Sequence, residues 1–196
     1  MRLVLASQSA SRRAMLTAAG VPHEAMPAYV DEAAAKESLV GRVPPRDLAD
    51  ALAELKAMKL GTRESGLVLG CDSVVALDDG TILDKPVDRD DAAAHLRRMS
   101  GTRHELISAA VIVEAGRPVW RHVGVARLHV RPLSEAFIAQ YLDAEWPAIA
   151  GSVGCYHVEG RGAQLFARID GDQFTVMGLP LLPLLDYLRV RGVLPA

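Results

Sequence analysis

The chain opens on an apolar run, Leu3-Val4-Leu5-Ala6, which breaks at Ser7-Gln8-Ser9-Ala10-Ser11 and resumes at helical spacing to Leu16, with Gly20 and Pro22 just beyond. This order predicts a strand, a polar loop and a helix in succession. Pro44-Pro45-Arg46-Asp47 starts a second predicted helix, in which Leu48, Leu52 and Leu55 form the stripe that faces a core, running to about Leu60 before Gly61. Leu67 to Leu77 reads as a long apolar strand interrupted by Asp72, and Asp78-Asp79-Gly80 turns it into Thr81-Ile82-Leu83. A helix from Asp90 to Met99 is stopped by Gly101, and two strands, His104 to Val113 and Val119 to Val130, are joined through Glu114-Ala115-Gly116-Arg117. Ser134 is placed to cap a helix reaching about Leu142. A Gly-rich stretch from Gly151 to Gly162 follows, then a strand from Gln164 to Ile169, a turn at Asp170-Gly171, and a last helix near Pro183 to Arg191.

Helices alternating with strands, at least one pair of them a hairpin, predict an α/β fold with a mixed sheet and flanking helices. No linker, repeat or low-complexity segment divides the chain, so a single domain over residues 1–196 is expected.

Composition narrows the class. Half of the residues are hydrophobic, and 22 Lys plus Arg face 24 Asp plus Glu for a formal net charge of -2, so nucleic acid is not an expected partner and any anion must be met by a local basic cluster. The first apolar run is too short for a signal peptide, and no stretch approaches the ~18 apolar residues of a membrane span. A cytoplasmic protein without a membrane partner is expected. Cys71 and Cys155 lack metal-ligand spacing and read as small core residues.

Two places carry candidate chemistry. Ser7, Ser9, Ser11, Arg12 and Arg13 sit on a loop and the first turn of a helix, where unpaired N–H groups and a partial positive charge favour phosphate, and two arginines there oppose the macrodipole unless an anion relieves them. An ordinary Ser cap with solvated arginines fits the same residue types. Asp72 is the second: a carboxylate inside an apolar strand is costly unless it is paired, metal-bound or used. Lys56 and Lys85 could each deliver an ammonium, although either alone reads as a snorkelling surface lysine, and Asp31-Glu32 reads as a solvated loop.

Taken in order, eight segments resemble the Maf family of nucleotide pyrophosphatases: LASQSASRR from Leu5 to Arg13, VDE at Val30 to Glu32, LKA around Lys56, GCDSVV from Gly70 to Val75, DKP at Asp84 to Pro86, RRMSG from Arg97 to Gly101, VEGRG from Val158 to Gly162, and GLPL at Gly178 to Leu181. The resemblance implies a mixed twisted sheet in two lobes around a central cleft, similar to the inosine triphosphate pyrophosphatases. It also implies cleavage between the α- and β-phosphates of a nucleoside triphosphate with a divalent metal cation, Mg2+ or Mn2+. By matching position, Asp72 is the expected base, Ser7, Ser9, Arg12, Arg13, Lys56 and Lys85 the phosphate-binding set, and Asp72 and Glu32 the metal ligands.

Ser11, Ser73 and Glu159 occupy the positions at which family subtypes differ. Members that prefer UTP and dTTP carry Arg at the first and Gln at the last, whereas those acting on 7-methyl-GTP carry Trp and Glu. Glu159 and the run Gly162-Ala163-Gln164-Leu165-Phe166 resemble the second group, and Ser11 fits neither. The reading leans to a modified or purine base, with dTTP/UTP as the alternative. Two other readings are a nucleotide-binding regulator of cell division and a sensor that binds without turnover; the presence of Asp72 favours hydrolysis. A homodimer is compatible with the sequence, and no residue demands one.

Overall fold

The first loop follows from where its strand ends. In the computed structural model, which describes residues 2–195, strand β1 (Leu3–Leu5) leads directly through the Ser7 loop into helix α1 (Ala10–Ala18), capped by the Ser9 hydroxyl. The chain returns as strand β2 (Glu24–Ala25), then forms helix α2 (Glu32–Leu39), capped by the Asp31 carboxylate. Helix α3 (Pro45–Gly61) and strands β3 (Leu67–Leu77) and β4 (Ile82–Leu83) follow. Next come helix α4 (Arg89–Met99), the long strands β5 (Arg103–Glu114) and β6 (Arg117–Val130), and helix α5 (Glu135–Glu145), capped by Ser134 as expected. Two short 3-10 turns precede strand β7 (Phe166–Asp170); helices α6 (Gln173–Val176) and α7 (Leu181–Val190) end the chain.

The strands form one mixed seven-stranded sheet in the order β2-β1-β3-β5-β6-β7, with β4 paired to β3. β1 runs parallel to both β2 and β3, whereas β4 is antiparallel to β3 and β7 to β6. The α/β class with a mixed sheet is therefore as expected. α2, α6 and β2 add to the expected elements.

The chain divides into two compact units, Met1–Ser73 with Ile107–Gly124 and Asp172–Ala196, and Val74–Leu106 with Val125–Gly171. In the first, Leu67, Leu69 and Cys71 of β3 join Leu3 and Leu5 of β1, Met15 and Leu16 of α1 and Leu181, Leu184 and Leu188 of α7 in one apolar core. The opposite face of β3 packs on α3. There a Cβ on Gly70 would lie 2.1 Å from the Ala53 carbonyl oxygen, so only glycine lets the helix sit this close. Gly70→Ala is accordingly expected to destabilise the protein by about 1–3 kcal/mol, read as a lowered urea midpoint.

The second unit buries a histidine. His104 is fully enclosed, its Nε2 lies 2.9 Å from the Tyr156 hydroxyl, its ring is tilted against Phe166, and Nδ1 has no hydrogen-bond partner. Burial pushes its pKa down from 6.5 to about 4. Below about 6.5 the unfolded chain binds a proton that the folded one refuses, so the stabilisation is full above that pH and is lost as pH falls toward 4. The loss amounts to ~3 kcal/mol. Urea midpoints measured from pH 4 to 7 should show this slope in the wild type and lose it in His104→Gln.

Candidate active site

Strand register assembles the site in the first unit. Leu5 pairs with Leu69 in the parallel β1–β3 ladder, and the Ala6 N–H donates to the Leu69 carbonyl. The Ser7 loop therefore begins where β3 reaches Cys71-Asp72-Ser73. Ligands of parallel α/β sheets gather at this carboxyl end of the strands.

Alternation along β3 then sends neighbouring side chains to opposite faces. Asp72 follows Gly70 onto the α3 face, where Lys56, one turn beyond Ala53, meets it: Lys56 Nζ lies 2.7 Å from Asp72 Oδ1 and 3.0 Å from Glu32 Oε1. Two carboxylates thus share one ammonium. Asp72 is 5% and Lys56 9% exposed, and Asp72 Oδ2 is buried with no hydrogen-bond partner. A buried carboxylate oxygen without a donor is costly, so this atom is an unused acceptor.

Ser73 points the other way, toward α1. Arg12 lies there with its guanidinium fixed on four sides: Nε donates to the Gly178 carbonyl (2.7 Å), Nη1 to the Cys71 carbonyl (3.1 Å) and to Ser7 Oγ (3.4 Å), and Nη2 to Ser73 Oγ (3.0 Å). These partners are dipoles, and Arg12 makes no ion pair among the described residues. A mostly buried cation held without a carboxylate attracts an anion. Cys71 beside it is inert as a nucleophile, because burial pushes its thiol pKa up to about 11.

The loop supplies donors of its own. Ser7 Oγ accepts from the Ser9 N–H, and Ser9 Oγ accepts from the Arg12 N–H, so each hydroxyl keeps its proton for a ligand. Arg13, next along α1, is exposed with no ion pair among the described residues. The Ser11 hydroxyl donates to the Met177 carbonyl at 3.1 Å, tying α1 to the segment after α6.

The Maf-like protein family profile matches residues 2–191. A nucleoside triphosphate pyrophosphatase from Sphingopyxis alaskensis is 52% identical over 100% of both chains. The chain belongs to the Maf family. Another relative, named 7-methyl-GTP pyrophosphatase, from Mesorhizobium japonicum, is 47% identical over 98% of each chain. A solved HAM1 protein from Coxiella burnetii shares a partial likeness, with 14% identity, a TM-score of 0.45 and coverage of 66% of this chain and 73% of that one.

Of the Maf motif residues, Ser7, Ser9, Ser11, Arg12, Arg13, Glu32, Lys56, Asp72 and Ser73 all lie in the first unit. Two readings from residue type alone are corrected. Lys56 is not a snorkelling surface lysine: the buried stripe of α3 runs Leu48, Ala49, Leu52, Ala53, Lys56, Ala57, Leu60, and it is Leu55 that faces outward at 38% exposure. Glu32 is not in a loop but opens α2, directly after its cap Asp31.

Lys85 and Glu159 belong to the second unit. Lys85 is exposed in the segment after β4, and Glu159 is exposed in a turn. Arg161 pairs with Glu145 at 3.8 Å, so the alternative of a Glu159–Arg161 pair is not realised.

The sequence reading missed Ser108 and Thr175, both buried, and the Gly178 carbonyl. Ser108 Oγ lies 2.9 Å from Ser73 Oγ and donates to the Thr175 carbonyl at 2.8 Å. The available signal was a hydroxyl inside the apolar run Leu106 to Val113, of the same kind that singled out Asp72.

Among the described residues no group of three or more His, Cys, Asp or Glu is arranged to hold a metal ion, and no helix is long and apolar enough to cross a membrane.

Proposed function

We propose that this Maf protein hydrolyses a nucleoside triphosphate to a monophosphate and pyrophosphate, with Asp72 as the base. The observation that carries this reading is the Asp72 carboxylate, buried and pinned through Oδ1 by Lys56 while Oδ2 has no partner. An acceptor held still and left unused can take a proton from water. The water oxygen bonds to the α-phosphorus, the bond from that phosphorus to the bridging oxygen breaks, and the electron pair leaves with pyrophosphate. Lys56 holds Asp72 in place, the Ser7 and Ser9 hydroxyls and the Arg13 guanidinium meet phosphate oxygens, and Arg12 adds its remaining Nη2 hydrogen.

The same residues are the ones that would hold a divalent cation. Carboxylates suit a hard cation, and Asp72 with Glu32 would hold Mg2+ or Mn2+, bound on Asp72 through a lone pair other than the one that takes the proton, the remaining positions falling to phosphate and water. When bound, the cation lowers the pKa of water and draws charge from the phosphate oxygens. The parts assigned to Lys85, in phosphate binding, and to Glu159, in base choice, rest on the matching family positions.

For the base, the reading is a modified purine nucleotide, with 7-methyl-GTP as the first candidate. An exposed Glu159 carboxylate can accept from a purine N1–H and exocyclic amine, and the Mesorhizobium japonicum relative carries that substrate in its name. Comparing kcat/KM for 7-methyl-GTP, GTP, UTP and dTTP tests it. Preference for 7-methyl-GTP, lost in Glu159→Gln, is expected; preference for UTP or dTTP in the wild type contradicts it.

A further inference from the structure

We propose that Ser108 is a positioning residue for this site, fixing the Ser73 hydroxyl so that Ser73 offers a ligand only a lone pair. The available protons fix the direction of each bond. Ser108 Oγ lies 2.8 Å from the Thr175 carbonyl, which has none to give, so the single Ser108 proton lies on that bond. The 2.9 Å contact between Ser108 and Ser73 must then be made by the Ser73 proton. Arg12 Nη2 donates to Ser73 Oγ at 3.0 Å and fills one of its two lone pairs. The chain therefore runs one way, from Arg12 to Ser73 to Ser108 to the Thr175 carbonyl, each link polarising the next.

Its far end is anchored twice. The Thr175 N–H and hydroxyl both donate to Asp172 Oδ2, at 2.8 and 3.1 Å, and a Cβ on Gly124 would lie 2.4 Å from Thr175 Oγ1, so β6 leaves Thr175 no room to shift. Ser108 is wholly buried and Thr175 nearly so. Two consequences follow for substrate, given the nucleotide reading above. Ser73 cannot donate to a phosphate oxygen; it accepts from a hydroxyl or amine of the substrate. Arg12 is held with one Nη2 hydrogen directed to the ligand.

The test is a double-mutant cycle with a ligand-free control. Ser108→Ala should lower kcat/KM about tenfold, mostly in kcat. Ser108→Thr, which keeps the hydroxyl, should stay within threefold of wild type, and Ser73→Ala with Ser108→Ala should be no worse than Ser73→Ala alone. In 15N-labelled protein without nucleotide, the Arg12 Nη2 signal should move in Ser108→Ala, where the Ser73 hydroxyl is free to turn, and keep its wild-type position in Ser108→Thr, while the bonds to Gly178 and Cys71 hold the guanidinium in all three. Wild-type kcat/KM in Ser108→Ala, independent multiplication of the two effects, or an Arg12 Nη2 signal unmoved in Ser108→Ala would overturn the proposal. Absence of turnover in the wild type would instead remove the nucleotide reading, while the Arg12 signals still decide the role of Ser108.

Discussion

Asp72→Asn is expected to lower nucleotide turnover by roughly 10³-fold while nucleotide affinity stays within a few-fold of wild type. Asparagine has the shape of aspartate, so packing against α3 is kept, and its amide oxygen can still accept from Lys56. What is lost is the second carboxylate oxygen, the buried Oδ2 that has no partner in the protein. An amide group in its place cannot take a proton from water, and the loss of charge removes the hard ligand a cation would use. Binding measured calorimetrically with a non-hydrolysable triphosphate separates this from unfolding or failed recognition. Turnover near the wild-type rate in Asp72→Asn would end the assignment of Asp72 as base.

Arg12→Ala is expected to act on both stability and binding, and Arg12→Lys to rescue neither fully. Removing the guanidinium leaves the Gly178 and Cys71 carbonyls and the Ser73 hydroxyl without their donor. Hydrogen bonds from a charged group contribute about 1.5–3 kcal/mol each, and partial rehydration offsets some of that, so a loss of about 3 kcal/mol is the expected result. Lysine supplies charge but not a planar fork, and cannot reach partners on β3 and beyond α6 together. Urea unfolding and pyrophosphate titration check the two effects. A lysine variant equal to wild type in both would mean that the fork geometry is irrelevant.

Legibility of the site in the sequence depended on contrast. Asp72 stood out because it interrupts an apolar strand, and the Ser7 to Arg13 segment because polar loop and basic first turn adjoin a buried strand. Lys56 carried no such contrast: choosing Leu55 as part of the buried stripe rotates the helix so that Lys56 reads as surface, whereas small Ala53 and Ala57 around Gly70 are what set the buried face. α2 escaped because it buries no side chain in its eight residues, so no apolar period marks it; its cap at Asp31 and its packing on α3 hold it. β2, two exposed residues long, exists by pairing with β1 and has no pattern of its own. Ser108 and Thr175 act through atoms distant in sequence from Arg12, a relation that only the folded chain makes visible.

Cleavage between the α- and β-phosphates would be read directly from the products. The most direct measurement is to incubate the purified protein with Mg2+ and 7-methyl-GTP, GTP, UTP or dTTP and to identify both products. Pyrophosphate and a nucleoside monophosphate in equal amounts, formed roughly 10³-fold more slowly by Asp72→Asn and lost after chelation of the metal, are the predicted result. Stepwise release of single phosphates, or no turnover of any of the four, would contradict it.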